Sequence, residues 1–119
     1  MSYDVRFKVK VEGIDKWVEV GDCHANVTWN VRKMIEAATG LPWLNEANNG
    51  YCKDVIPHIA KGWADIVANP SKYKQYESPN GWGTVGGVRD FFGYILEAWK
   101  RFCDWEDEEL VNVTTFWIE

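Results

Sequence analysis

Six residues, Gly81-Trp82-Gly83-Thr84-Val85-Gly86, spell G-x-G-x-x-G. In a dinucleotide fold those glycines follow a strand, open a helix and bring a pyrophosphate against the helix N-terminus. Here the segment before them is polar and tyrosine-rich, and no parallel βαβ unit surrounds it, so a Rossmann site is not expected. The local physics survives that exclusion, because free N–H groups at a helix start attract an anion in any fold. A nucleotide would stack on Trp82 and place its phosphates on the amides of residues 83–87, including Gly83, Thr84, Gly86 and Gly87, with Arg89 alongside and Tyr73 and Tyr76 nearby. A protein ligand would instead take Trp82 as a buried anchor. The competing expectation is a tight turn whose tryptophan packs into the core.

Other reactive side chains form weaker groupings. His24 and His58 are the only two imidazoles and, with Cys23 and Cys52, match no standard zinc spacing. Cys52 and His58 are six positions apart, which on a helix sets them on different faces and argues against a nucleophile and its base. Asp104, Glu106, Asp107, Glu108 and Glu109 surround Trp105, and they read either as a carboxylate cluster or as a solvated loop before an edge strand. No serine-nucleophile, P-loop or paired-carboxylate pattern is present. The sequence nominates no catalytic residue, no metal ligand and no cofactor.

Composition sets the frame for these candidates. A chain of 119 residues with 46% hydrophobic and 26% charged residues is expected to fold as one domain spanning 1–119. The net charge of −5 argues against a sequence-independent grip on nucleic acid. No apolar run of ~18 residues and no signal-peptide pattern is seen, so a cytoplasmic location without membrane contact is the expectation. Three scattered cysteines fit reduced thiols. Eight tryptophans exceed what a core of this size needs, and surplus aromatic surface tends to lie at interfaces or ligand pockets.

The elements that must position the glycine–tryptophan stretch follow from periodicity. Tyr3, Val5, Phe7, Val9 and Val11 alternate with polar residues, and a second run through Trp17, Val18 and Val20 follows a Gly13 turn, predicting an antiparallel hairpin. A helix capped by Asn26 or Thr28 is expected through Val31, Met34, Ile35 and Ala38, ended by Gly40 in the left-handed conformation. Residues 45–50 read as a polar turn. A second helix is expected from about residues 52–54 to the stop at Asn69-Pro70, with Pro57 in its first turn. Residues 71–77 read as a short helical turn presenting Tyr73 and Tyr76. A third, strongly apolar helix is expected over 88–103, then the acidic loop, then a strand over 111–117. The fold class is α+β, in the order ββαααβ, with a three-stranded antiparallel sheet covered on one face by three helices.

The opening hairpin, Asn26-Val27-Thr28, the Asn69-Pro70 stop with Tyr73 after it, and above all Pro79-Asn80-Gly81-Trp82-Gly83 resemble a group of small uncharacterised phage and prophage proteins, some of them actinobacterial. The resemblance spans most of the chain and implies context more than mechanism. Small acidic phage proteins without catalytic signatures often act by binding, so the resemblance implies a protein that blocks a host defence complex, sequesters a nucleotide signal, or assists replication or packaging. The leading expectation is therefore a non-enzymatic phage accessory protein in the host cytoplasm, binding a host protein or a small nucleotide. The alternative is an assembly role, with the aromatic surplus covering a homo-oligomer interface, and a small enzyme comes third.

Overall fold

A computed structural model describes all residues from Met1 to Glu119. Strand β1 (Ser2–Lys10) lies inside the sheet and follows its alternation, with Tyr3, Val5 and Phe7 buried and the residues between them facing outward. β2 (Trp17–Val20) returns antiparallel beside it, pairing Phe7 with Val20 and Lys10 with Trp17. The expected hairpin is present.

The sheet is larger than the three strands read from the sequence. It has five, and β3 and β4 are both additions. β3 (Asn26–Thr28) pairs with Ser2–Asp4 on the same edge of β1 that β2 uses further along. Residues 21–25 bulge out between them, and the Arg6 guanidinium fills the bulge by donating to the Val5 and Cys23 carbonyls at 3.1 and 3.2 Å. Asn26 is thus a strand residue rather than a helix cap, and its amide donates to Ser2 Oγ and Asp4 Oδ1.

β4 (Ala47–Tyr51) occupies most of the expected polar turn and pairs with β5 (Thr115–Ile118), which in turn pairs with β1. The path is β2-β1-β5-β4. An edge strand wet on one side tolerates the polar run Ala-Asn-Asn-Gly, which is why its composition reads as a turn.

The helices fall close to their expected places. A 3-10 turn (Trp29–Val31) leads into α1 (Arg32–Thr39), and Gly40 ends it at φ 72° with its N–H on the Glu36 carbonyl. Helix α2 (Cys52–Ala68) stops before Asn69-Pro70 as expected. Pro57 is its sixth residue, not part of the first turn, and on the exposed side of the helix it removes the hydrogen bond that would go to the Lys53 carbonyl. A 3-10 segment (Pro70–Tyr76) follows.

α3 (Val85–Trp105) begins three residues earlier than its apolar stripe, so Gly86 and Gly87 belong to its first turn. Its 21 residues make it about 30 Å long, and it buries Val88, Phe91, Phe92, Ile95 and Phe102 against the sheet and α2.

The acidic stretch is not a loop leading to a long strand. Asp107 caps a fourth helix, α4 (Glu108–Val113), accepting from the Leu110 N–H at 2.8 Å, and Glu108 and Glu109 sit at the favourable end of its dipole. Val111 and Val113 are helical, and β5 starts only at Thr115. The observed order is βββαβαααβ, still α+β, with one core that gathers Phe7, Trp43, Ile59, Phe91 and Phe116.

Candidate functional site

The glycine–tryptophan stretch is held by short local bonds. The Gly81 N–H donates to the Ser78 carbonyl at 3.2 Å, closing a turn, while Asn80 Oδ1 accepts from Ser78 Oγ at 2.7 Å and from the Trp82 N–H at 2.9 Å. Asn30 Nδ2 reaches the Trp82 carbonyl at 3.5 Å. Gly83 has φ 92°, and a Cβ on it would lie 2.5 Å from Val31 Cγ1. Only glycine fits, because the loop seats directly on the 3-10 turn that precedes α1. The loop is a fixed feature of the fold, and the ring it carries is left outside: Trp82 is 68% exposed. The expectation that this tryptophan packs into the core does not hold.

The start of α3 accounts for its own donors. Thr84 is the N-cap, its Oγ1 accepting from the Gly87 N–H at 3.0 Å. The Glu77 carboxylate accepts from the Val85 N–H at 2.8 Å, and the Val88 N–H bonds the Thr84 carbonyl. Of the first helical amides only that of Gly86 is left over. A carboxylate from the chain itself thus already stands where a phosphate would go, and its charge complements the helix dipole. Arg89, exposed one turn on, pairs with Asp90 at 3.1 Å.

The two tyrosines expected beside the loop part company. Tyr73 is 1% exposed, and its hydroxyl donates to Asp65, so it is a core residue and belongs to no surface. Lys72 and Asn69 also donate to Asp65, each at 2.9 Å, and these bonds, Tyr73 first, hold its carboxyl down at about 2. The cluster ties the end of α2 to the segment that leads into the loop. Tyr76 is half-buried against the core, its ring 6.4 Å from that of Tyr73. The structure therefore brings together Trp82, Gly83, Thr84, Gly86, Gly87 and Arg89, leaves Tyr76 at the margin and removes Tyr73.

Residues that the sequence reading missed are those that build the seat: Asn30, Val31, Glu77 and Asn80. Asn80 and Thr84 carry local signals, an Asx-type turn two residues before Trp82 and an N-cap three before Gly87. Asn30 and Val31 act from more than fifty positions away and carry none.

The reactive groupings elsewhere do not converge. His24 sits on the β2–β3 bulge against Asp22, while His58 on α2 lies 3.2 Å from the Thr39 carbonyl. Cys23 and Cys52 are buried, and burial pushes the Cys23 thiol up to about 11 and the Cys52 thiol up as well, so neither is a ready thiolate. No group of three or more His, Cys, Asp or Glu side chains is arranged to hold a metal ion. No helix is long and apolar enough to cross a membrane. In comparisons with protein-family models, curated proteins and solved structures, nothing matches the chain.

Proposed function

We propose that this protein acts by binding a protein partner, with Trp82 as the anchor that enters a pocket on that partner. The single observation that carries this reading is an indole 68% exposed on a loop locked from both sides. A rigid aromatic loses little freedom on binding, and burying the exposed part of one indole contributes about 3 kcal/mol, roughly a hundredfold in affinity. The nucleotide version of the site is the weaker one, because the Val85 and Gly87 amides already have acceptors and Glu77 sets a negative charge among them. Arg89 and Tyr76 would lie at the rim of the contact.

The resemblance carried by Pro79-Asn80-Gly81-Trp82-Gly83 supplies the setting: a phage accessory protein in the host cytoplasm that inhibits a host antiviral defence complex. The test is restriction of a defence-sensitive phage in cells expressing the chain. Expression is expected to restore plaque formation against at least one defence system, and Trp82→Ala to abolish the effect while melting within ~2 °C of the parent. Equal rescue by Trp82→Ala would remove the anchor from the account. Sedimentation of the purified chain tests the competing assembly role, which requires a stable dimer or larger species that Trp82→Ala dissociates.

A further inference from the structure

We infer that the chain has a second binding site, for a small organic cation, in the cavity between the loop after α1 and the start of α2. The cavity measures about 380 Å³, within the range of small-molecule sites. Its floor is apolar, made by Trp43 and Phe116, both buried, and its walls include Leu44 and Val55. Leu44 and Tyr51 are exposed where it opens.

The walls are fixed by the chain. Asn49 Oδ1 accepts from the Leu44 N–H at 3.2 Å, and its Nδ2 donates to the Leu44 and Ala47 carbonyls at 2.9 and 3.0 Å. That side chain is fully engaged in holding the loop against β4, so the cavity does not depend on a ligand for its shape.

Asp54 and His58 give the lining acceptors, and the lining also holds one buried donor without a partner, the Trp43 Nε1–H. Asp54 and His58 are one turn apart on α2 and both line the cavity. None of the molecule's ion pairs involves Asp54, so its carboxylate is free. His58 Nδ1 is engaged with the Thr39 carbonyl at 3.2 Å, and a carbonyl only accepts. Nδ1 therefore carries a proton, and in the tautomer this selects Nε2 is the acceptor. A carboxylate and an imidazole lone pair beside an apolar, partly aromatic floor suit an ammonium or amidinium group carried on an aromatic or aliphatic body. The matching anion would meet Asp54 inside the cavity, and the ammonium next to it in the chain, that of Lys53, stands over the Tyr51 ring at 5.4 Å, at the mouth. This site is built from different residues than the Trp82 loop and stands whether or not that loop binds a protein.

Titration of the isotopically labelled chain with phenethylamine, and separately with 3-phenylpropionate, is the test, read from the amide shifts of Leu44, Gly50 and Tyr51. The amine is expected to saturate with a dissociation constant below ~1 mM and to bind at least about tenfold more tightly than the acid. Asp54→Asn should weaken the amine by about tenfold or more, whereas Asp104→Asn, an exposed carboxylate elsewhere, should leave it unchanged. A short peptide with an internal arginine distinguishes the source: tighter binding of the peptide assigns the cavity to a partner's side chain, tighter binding of the amine to a free metabolite. Equal binding of amine and acid, full affinity in Asp54→Asn, or no saturable shift at ~5 mM would overturn the inference.

Discussion

Trp82 stands three residues before the first residue of α3, and Trp105 is its last, so the two rings are separated by a rod of about 30 Å. Both are exposed, Trp105 even more than Trp82, at 83% against 68%. Exposure alone would favour Trp105. The surroundings reverse that order. Around Trp82 the polar groups are turned inward on one another, through Asn80, Asn30, Thr84 and Glu77, and the ring is the part left facing outward. Around Trp105 stand Asp104, Glu106, Asp107, Glu108 and Glu109, all exposed, and the backbone leaves the helix with no seat comparable to Gly83 on Val31. An apolar ring among charges is costly to desolvate, since its neighbours lose water with it. What distinguishes an anchor is therefore how completely its neighbours have already been satisfied.

The comparison can be broken first at Gly83. Replacing it by alanine forces a Cβ into Val31 and strains a positive φ, so Gly83→Ala should destabilise the chain by about 2 kcal/mol, lowering the melting temperature by about 8 °C. Glu106→Ala, beside Trp105, should change it by less than ~2 °C. If the two melt alike, the loop is not seated as described.

A smaller effect belongs to the other end. Asp107→Ala removes the α4 cap and should cost about 1 kcal/mol, or about 4 °C, in calorimetry. Phage rescue should survive it, because the Trp82 loop keeps all its bonds. Loss of rescue at unchanged melting would move the function to the acidic end.

The smallest effect is a pH dependence on the Trp82 side. Asp65 is held at about 2, below its unfolded value of 3.8, so its contribution is fully present above 3.8 and is lost as pH falls towards 2, where the unfolded chain binds the extra proton first. Tyr73→Phe removes the first of the bonds responsible and should shrink the fall in melting temperature between pH ~5 and pH ~2.5. An unchanged fall would mean that other carboxylates govern acid stability.

What the sequence made legible follows the reach of each interaction. β1 shows because four apolar residues, Tyr3, Val5, Phe7 and Val9, alternate along it, and α1 and α2 show because Gly40 and Asn69-Pro70 are local stops. β3 is three residues long, too short for a period, and β4 is polar because one side of an edge strand stays wet. Val111 and Val113 alternate like a strand, yet the Asp107 cap and the two glutamates after it start a helix that two valines cannot outweigh. At the site, the turn and the helix start were readable from Pro79 to Gly87. The burial of Tyr73 was not, since it rests on Asp65 eight residues back in the preceding helix, and neither was the exposure of Trp82, which depends on Val31 filling the space beneath Gly83.

Site-specific photo-cross-linking tests the central claim most directly. A photoreactive benzoylphenylalanine is placed in the full chain at position 82 or at position 105, and host cells expressing each variant are irradiated. The account predicts one discrete adduct with a host protein from position 82 and none from position 105. Adducts from position 105 alone, or from neither position, would contradict it.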